Sequence, residues 1–312
     1  MTKRPRLLVV GGAHIDRRGQ VRGPYVPGAS NPGTLSEEIG GGGFNAARNA
    51  AQRGVSASML SVRGGDAAGN AVAEAIRQAR IADLSAVFLD RRTASYTAMV
   101  QEDGEVIAGL ADMQLYDAAF PRILARSGFR AAAAEADAIL CDANLPAAAL
   151  ARVAATGKPL YGIAISPAKA VRLEGLLDAF SCLFLNRREA SVLCGLPADA
   201  DFVETAAALA AKGLRAAVVT AGPEAVNGYD AQGRFSIEPP KPRHVADETG
   251  AGDAIAGATV AAMLRGVPLA PALREGMAAA LLTIESPHAV TKLDAKAMRA
   301  ALALVPEPRH MA

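Results

Sequence analysis

Asp247-Glu248-Thr249-Gly250-Ala251-Gly252-Asp253-Ala254-Ile255-Ala256-Gly257-Ala258 decides the fold, because it reads as a turn that opens a helix onto a ligand. A polar, proline-broken segment from Pro239 to His244 precedes it, and a run of small and apolar residues follows. Thr249 stands where an N-cap belongs, and the glycines supply backbone that a ligand can approach closely. A helix starting here aims unpaired N–H groups and the positive end of its dipole at one point, which makes an anion site. Asp253 is the discordant residue. Its carboxylate suits a first helical turn but would repel a bound phosphate, unless it takes the proton from a hydroxyl that attacks that phosphate. Taken alone, the stretch reads first as a glycine turn with an acidic first helical turn, and the rest of the chain must shift that balance.

Working outward, the segments upstream alternate apolar runs with helical patterns. Ala138–Cys141, Leu160–Ile165, Cys182–Leu185 and Ala216–Val219 read as strands, with helices near 146–156, 187–194 and 199–212. Near-continuous apolar strands separated by amphipathic helices predict a parallel sheet covered on both faces. Residues 226–237 read as a hairpin, and helices near 251–265, 270–284 and 292–303 follow. In the first half, Leu7–Val10 is a buried strand, Gly40-Gly41-Gly42-Gly43-Phe44-Asn45 leads into a helix over 46–53, and 67–79 is a second helix. Residues 17–38 are rich in Gly and Pro and read as turns and edge strands. The runs at 86–89, 95–100 and 106–108 are strand-like, with Asp103-Gly104 as a hairpin turn.

Polar residues close these strands: Asp16, Asp142 with Asn144, Ser166, Asn186 and Thr220. In an open parallel sheet the ligand crevice lies at the carboxyl ends of the strands. One such residue starts a loop for ordinary reasons, but their alignment with the Gly-Ala-Gly-Asp turn predicts one polar cleft.

Composition narrows the classes. The 312 residues are 51% hydrophobic and 4% aromatic, and 33 basic against 31 acidic residues leave a formal charge of +2. No broad nucleic-acid or membrane field is implied. The three cysteines form no Cys-x-x-Cys pair and read as buried thiols, and the four histidines lack metal-ligand spacing. The basic start has too short an apolar core for a signal peptide, and no run has the length of a transmembrane helix, so a soluble, cytoplasmic chain is expected. There is no P-loop signature, and Gly11-Gly12-Ala13-His14 is not a dinucleotide fingerprint.

Four of these motifs together resemble the ribokinase-like (PfkB) carbohydrate kinase family, over nearly the whole chain. Asp247–Asp253 is similar to the specific C-terminal signature, and Gly40–Asn45 to the N-terminal one. Asn186-Arg187-Arg188-Glu189 and Thr220-Ala221-Gly222 match the Asn-x-x-Glu element and the nucleotide turn. Within the family the likeness is greatest to enzymes acting on pseudouridine, through Gly23–Pro27, Ser30–Gly33, Ser95–Thr97, Ala111–Met113, Asp142–Leu145 and Glu285–His288.

The resemblance implies an α/β, Rossmann-like three-layer fold across 1–312, with β-lid insertions at 17–38 and 93–110. It implies transfer of phosphate from ATP to the 5′-hydroxyl of a ribosyl compound. Asp253 would be the base, and the N–H groups of Gly250, Ala251 and Gly252 would hold the transferring phosphoryl. Asp16, Gly41, Gly42, Asn45 and Asn144 would bind the acceptor, with Asn31 and Thr97 reading it from the lid. Thr220, Gly222 and Ser286 would line ATP. Asn186 and Glu189 would organise Mg2+ through water, though the same pair is a capping box. Asp247 would assist a monovalent cation such as K+, and is equally an ordinary loop aspartate. A homodimer through the lid is expected. Glu248, Ile255 and the turn Pro223-Glu224-Ala225 depart from the family pattern and put cation and ATP affinity in question. Alternatives are a kinase of ribose or another nucleoside, and a catalytically silent regulator.

Overall fold

The computed structural model describes residues 4–311. Its central feature follows from the first strand, β1 (Arg6–Val10), in which Leu7 and Val9 face one hydrophobic core while Leu8 and Val10 face a second. A strand that is apolar on both sides needs cover on both sides, and this one has it.

The strands that follow are β2 (His14–Val21), β3 (Gly33–Gly40), β4 (Ser56–Leu60), β5 (Val62–Gly64), β6 (Ala82–Asp83) and β7 (Ala86–Phe88). Next come β8 (Ser95–Val100), β9 (Val106–Asp112), β10 (Ala138–Asp142), β11 (Leu160–Ile163), β12 (Cys182–Asn186) and β13 (Ala217–Thr220). The last are β14 (Val226–Asp230), β15 (Gly233–Ile237) and β16 (Arg309–Met311). Ten of them form one sheet in the order β16-β15-β14-β13-β12-β11-β10-β1-β4-β6. The pairings from β6 to β13 are parallel and those from β13 to β16 antiparallel. With helices packed on both faces, this is a three-layer α/β fold.

A separate four-stranded sheet, β3-β2-β8-β9, stands beside the carboxyl ends of the parallel strands. It contains most of the two segments expected to leave the main fold. Its edges β3 and β9 are largely exposed.

Helices Ala251–Leu264, Gly42–Gln52 and Leu269–Ile284 pack together on one face. Alanine is the currency of that packing: Ala254 to Ala262 are buried without interruption. A side chain on Gly257 would collide with the Ala46 carbonyl, so the two helices meet backbone to backbone.

Three sequence expectations need adjustment. Residues 114–135 hold two helices, Gln114–Ile123 and Ser127–Glu135, where no element had been read. The helix after the glycine run begins at Gly42, four residues earlier than expected. The cap of helix Ala251–Leu264 is Gly250 in the left-handed region (φ 82°), with no side-chain cap bond, so Thr249 does not cap it.

Candidate active site

The turn 247–253 ends as a helix start whose geometry leaves several N–H groups open. Asp247 Oδ1 accepts from the Thr249 N–H at 2.8 Å, which bends the chain into the helix. Gly250 takes its positive φ against the Ala289 carbonyl, where any side chain would clash. The Ala251 N–H donates to the Glu248 carbonyl at 3.2 Å, whereas those of Gly250, Gly252 and Asp253 have no partner among the described residues. Of the three donors expected to hold an anion, Gly250 and Gly252 are therefore open and Ala251 is engaged. A Cβ on Gly252 would meet nothing within 4 Å, so the fold itself does not demand glycine there.

Asp253 stands at this helix start. Its Oδ2 accepts from Asn45 Nδ2 at 2.8 Å. Burial pushes its carboxyl up to about 7; the Asn45 bond and Arg48 oppose the rise, and the nearby Asp142 and Asp16 charges add to it. Oδ1 has no partner among the described residues, and a Cβ on Gly42 would stand 3.2 Å from it. A side chain at Gly42 would also collide with Ile165 Cδ1, so the glycine is needed for Ile165 to pack beside the one unengaged oxygen of the carboxylate.

Asn45 is held from behind by Arg48, whose guanidinium donates to Asn45 Oδ1 and to the Ile39 carbonyl and lies 4.5 Å over the Phe44 ring. Burial lowers Arg48 to about 10, with Glu38, Asp253 and Asp16 resisting the shift. With its oxygen taken by Arg48, Asn45 can present only its amide hydrogens to Asp253.

Asp142 organises the floor. It is fully buried at the end of β10, and its Oδ2 accepts from the N–H groups of Gly12 and Gly43, each at 2.8 Å. Its Oδ1 accepts from the Asn144 N–H at 2.9 Å. One carboxylate therefore ties together the loop after β1, the glycine run and the loop after β10. Asn144 is buried; its Oδ1 accepts from Lys169 Nζ, and its Nδ2 has no partner among the described residues. Burial lowers the Lys169 pKa against the raising pull of Asp142. Ile165 takes φ +70°, unusual for a β-branched residue, with the Ser166 N–H donating to the Ala164 carbonyl at 2.9 Å across it. Such a γ-turn costs about 1–3 kcal/mol. It lays the Ile165 side chain over Gly42.

On the other side, Asn186 and Glu189 form a reciprocal capping box, with Asn186 Oδ1 accepting from the Glu189 N–H at 2.9 Å and Glu189 Oε2 from the Asn186 N–H at 2.8 Å. Burial pushes the Glu189 carboxyl up to about 7, the Asn186 bond working against it. Thr220 pairs with Asn186 across β12 and β13, and Gly222 turns the chain with φ 63°. Glu224 in the following turn is clamped by Arg187. Ser286 Oγ accepts from the His288 N–H at 3.2 Å, in the loop that packs on Gly250.

Lid residues fare unevenly. Thr97 lies on β8 between Arg17 and Leu110. Asn31 spends its oxygen on the Val26 N–H and its amide on the carbonyls of Val26 and Ala29, so it shapes its own loop. Two contacts tie the sheet β3-β2-β8-β9 to the loops around Gly250: an ion pair of Arg18 Nη1 with Asp247 Oδ2 at 3.0 Å, and a hydrogen bond between His288 Nδ1 and Glu38 Oε1 at 2.8 Å. Both oxygens of Asp247 are thereby occupied, by Arg18 and Thr249.

Sequence reasoning missed Arg48, Lys169, Arg18 and Ile165. Arg48 falls one helical turn after Asn45, a spacing that could have flagged it. The others are brought in from distant segments and carry no local signal.

The chain is similar to known kinases over nearly its whole length. The model of the pfkB family carbohydrate kinases matches residues 4–296. A pseudouridine kinase of Escherichia coli is 28% identical over 279 residues, covering 88% of each chain. A carbohydrate kinase from Agrobacterium tumefaciens superposes with a TM-score of 0.86 at 44% identity, covering 98% of this chain and 100% of that one. Arabidopsis thaliana ribokinase, complexed with ribose and ATP, superposes with a TM-score of 0.82 at 23% identity, covering 96% and 99%.

Proposed function

This chain belongs to the pfkB family of carbohydrate kinases, and we propose from its site that it phosphorylates the 5′-hydroxyl of a ribosyl compound, pseudouridine before others. The enzyme class, an ATP-dependent sugar or nucleoside kinase, follows from the family. The observation that carries the mechanism is Asp253: one oxygen fixed by Asn45, the other open, beside free N–H groups at a helix start.

In the proposed reaction the acceptor hydroxyl gives its proton to Asp253 Oδ1 as its oxygen bonds to the γ-phosphorus of ATP. The bond to the bridging oxygen breaks and ADP leaves. A carboxyl near 7 is matched to proton transfer at neutral pH. Negative charge on the transferring phosphoryl meets the N–H groups of Gly250 and Gly252, with Ala251 joining if it releases Glu248. Asp16, Gly41, Gly42, Asn45 and Asn144 surround the acceptor.

No group of three or more His, Cys, Asp or Glu side chains among the described residues is placed to hold a metal ion. Glu189 nevertheless suits magnesium: it is a buried oxygen donor whose raised carboxyl gains from a nearby cation, and magnesium keeps most of its waters. When bound, the ion would neutralise phosphate charge, with Glu189 and Asn186 orienting its waters. Asp247, by contrast, already has a guanidinium partner in Arg18, which argues against a monovalent cation on that carboxylate.

The pseudouridine reading rests on the 28% identical relative and on the lid motifs. The engagement of Asn31 leaves Thr97 as the lid residue free to read a base, which keeps ribose and other nucleosides as the second reading. Exposed Leu35, Val106 and Leu110 on the lid edges support dimerisation through that sheet.

The test is ADP release with ATP and Mg2+ over pseudouridine, uridine, cytidine, ribose and fructose 6-phosphate. Turnover led by pseudouridine is expected. Preference for ribose or uridine would discard the base reading while keeping the mechanism, and no turnover on any acceptor would overturn the proposal.

A further inference from the structure

Behind Asp16 lies a hydrogen-bonded chain that the mechanism above does not use. His14 Nε2 is 3.2 Å from Asp16 Oδ1, and His14 Nδ1 is 3.0 Å from Tyr116 Oη. Tyr116 is fully buried, and its hydroxyl also lies 3.0 Å from the Ala13 N–H and 3.1 Å from the Ala13 carbonyl. His14 itself is only 5% exposed. Three glycines enclose the assembly. A Cβ on Gly40 would collide with Asp16 Oδ2, and those on Gly41 and Gly12 would lie 3.0 and 3.2 Å from His14 Nδ1. Part of the glycine run is therefore moulded to His14 and Asp16.

Proton counting favours one arrangement. The Tyr116 oxygen accepts from the Ala13 N–H, with the Ser61 hydroxyl also beside it, and its single proton goes to the Ala13 carbonyl or to His14 Nδ1. Burial, with the Asp142 charge behind it, raises the phenol well above its ordinary value, so Tyr116 keeps that proton. If Tyr116 donates to Nδ1, a neutral imidazole carries its hydrogen on Nε2 and donates it to Asp16. If Tyr116 donates to Ala13, Nδ1 must be the donor, and a neutral His14 would then face the Asp16 carboxylate with a lone pair. With a neutral ring, only the first arrangement gives both His14 nitrogens and the Asp16 carboxylate a partner, at the expense of the hydroxyl's bond to the Ala13 carbonyl.

We propose that His14 and Tyr116 are positioning residues for the acceptor site: the Tyr116 hydroxyl sets the His14 tautomer, and the Nε2 hydrogen holds the Asp16 carboxylate in the orientation that receives the acceptor hydroxyls. This rests on Asp16 binding the acceptor, as proposed above. Tyr116 comes from helix Gln114–Ile123, so that helix is coupled to a carboxylate it does not touch.

Two measurements test it. Kinetics with pseudouridine and with ribose compare wild type, His14→Gln, His14→Asn, Tyr116→Phe and Asp16→Asn. A Gln amide can replace the Nε2 donor, whereas an Asn amide stands near Nδ1 and cannot reach Asp16. His14→Asn should raise the acceptor KM roughly tenfold or more, with the ATP KM unchanged, and His14→Gln should stay within roughly threefold. Equal effects of the two substitutions, or a parallel rise in the ATP KM, would overturn the proposal. An Asp16→Asn variant with an unchanged acceptor KM would instead overturn the reading of Asp16. Nitrogen-15 NMR of the His14 ring reports the tautomer without any substrate. A ring protonated on Nε2 only, shifting in Tyr116→Phe, is expected; protonation on Nδ1, alone or together with Nε2, sinks the relay whatever the kinetics show.

Discussion

All five residues of β10 are buried, whereas six of the seven in β9 are exposed. β10 runs through the middle of the large sheet while β9 is an outer edge of the small one, and the contrast separates two kinds of job. β10 ends in Asp142, whose three backbone hydrogen bonds lock the glycine loops together in the middle of a two-sided core. The sheet containing β9 has little core of its own and is tied to the loops at Asp247 and His288 by Arg18 and Glu38. Chemistry that requires fixed distances sits on the first. Admission of the acceptor and exclusion of water suit the second, because a lid must open at small cost.

Breaking the rigid half should be far more damaging than disturbing the lid. Asp253→Asn keeps the shape and the bond to Asn45 but removes the proposed base, and should lower kcat by about 10²–10⁴-fold with an unchanged melting temperature. A loss under tenfold would mean that Asp253 is not the base. Asp142→Ala leaves the N–H groups of Gly12, Gly43 and Asn144 unpaired in the core. It should cost several kcal/mol, at about 1–3 kcal/mol per buried group left unsatisfied, and thermal or denaturant unfolding measures it.

The pH profile comes next in size. As the proposed base, Asp253 must be ionised to act, and burial pushes its carboxyl up to about 7, so kcat/KM should fall tenfold per unit as pH drops below 7 and level off above it. A limb near 4 would show that the site is wetter than its surroundings imply. Smallest is the lid. Arg18→Gln should raise the acceptor KM by roughly twofold to tenfold and increase ATP hydrolysis without acceptor, leaving stability nearly untouched, as expected for a partly exposed ion pair. Hydrogen exchange would sharpen the contrast: lid amides should exchange well before those of β1 and β10, and equal protection would abolish it.

The parallel sheet was legible because its strands are apolar without interruption and the helices between them are amphipathic, a pattern that survives without knowledge of contacts. The cleft was legible because strand ends must gather at one edge. Less could be read where a residue's role depends on distant partners. Tyr116 sits in a helix carrying Pro121, an unpromising signal, and meets His14 from more than a hundred residues away. Ile165 looks like the continuation of an apolar strand and is instead a strained turn. Thr249 had the right chemistry for a cap, but Asp247 took its N–H and Gly250 took the left-handed position. Asn186 and Glu189 were readable as a capping box from spacing alone, and the structure contains that box in full.

The place of β1 in the sheet carries a consequence for synthesis in the cell. Its neighbours are β4, made soon after it, and β10, in which Ile139 stands opposite Leu8. At about 5–20 residues per second, a ribosome takes on the order of ten seconds to deliver that second neighbour. Through this interval the nascent chain holds an apolar strand with one open edge, and neither Gly12 nor Gly43 has its Asp142 anchor. Slow translation through the segment before β10 would prolong that exposure, so the yield of folded enzyme should respond to codon choice and to chaperone supply there more than in the later helices.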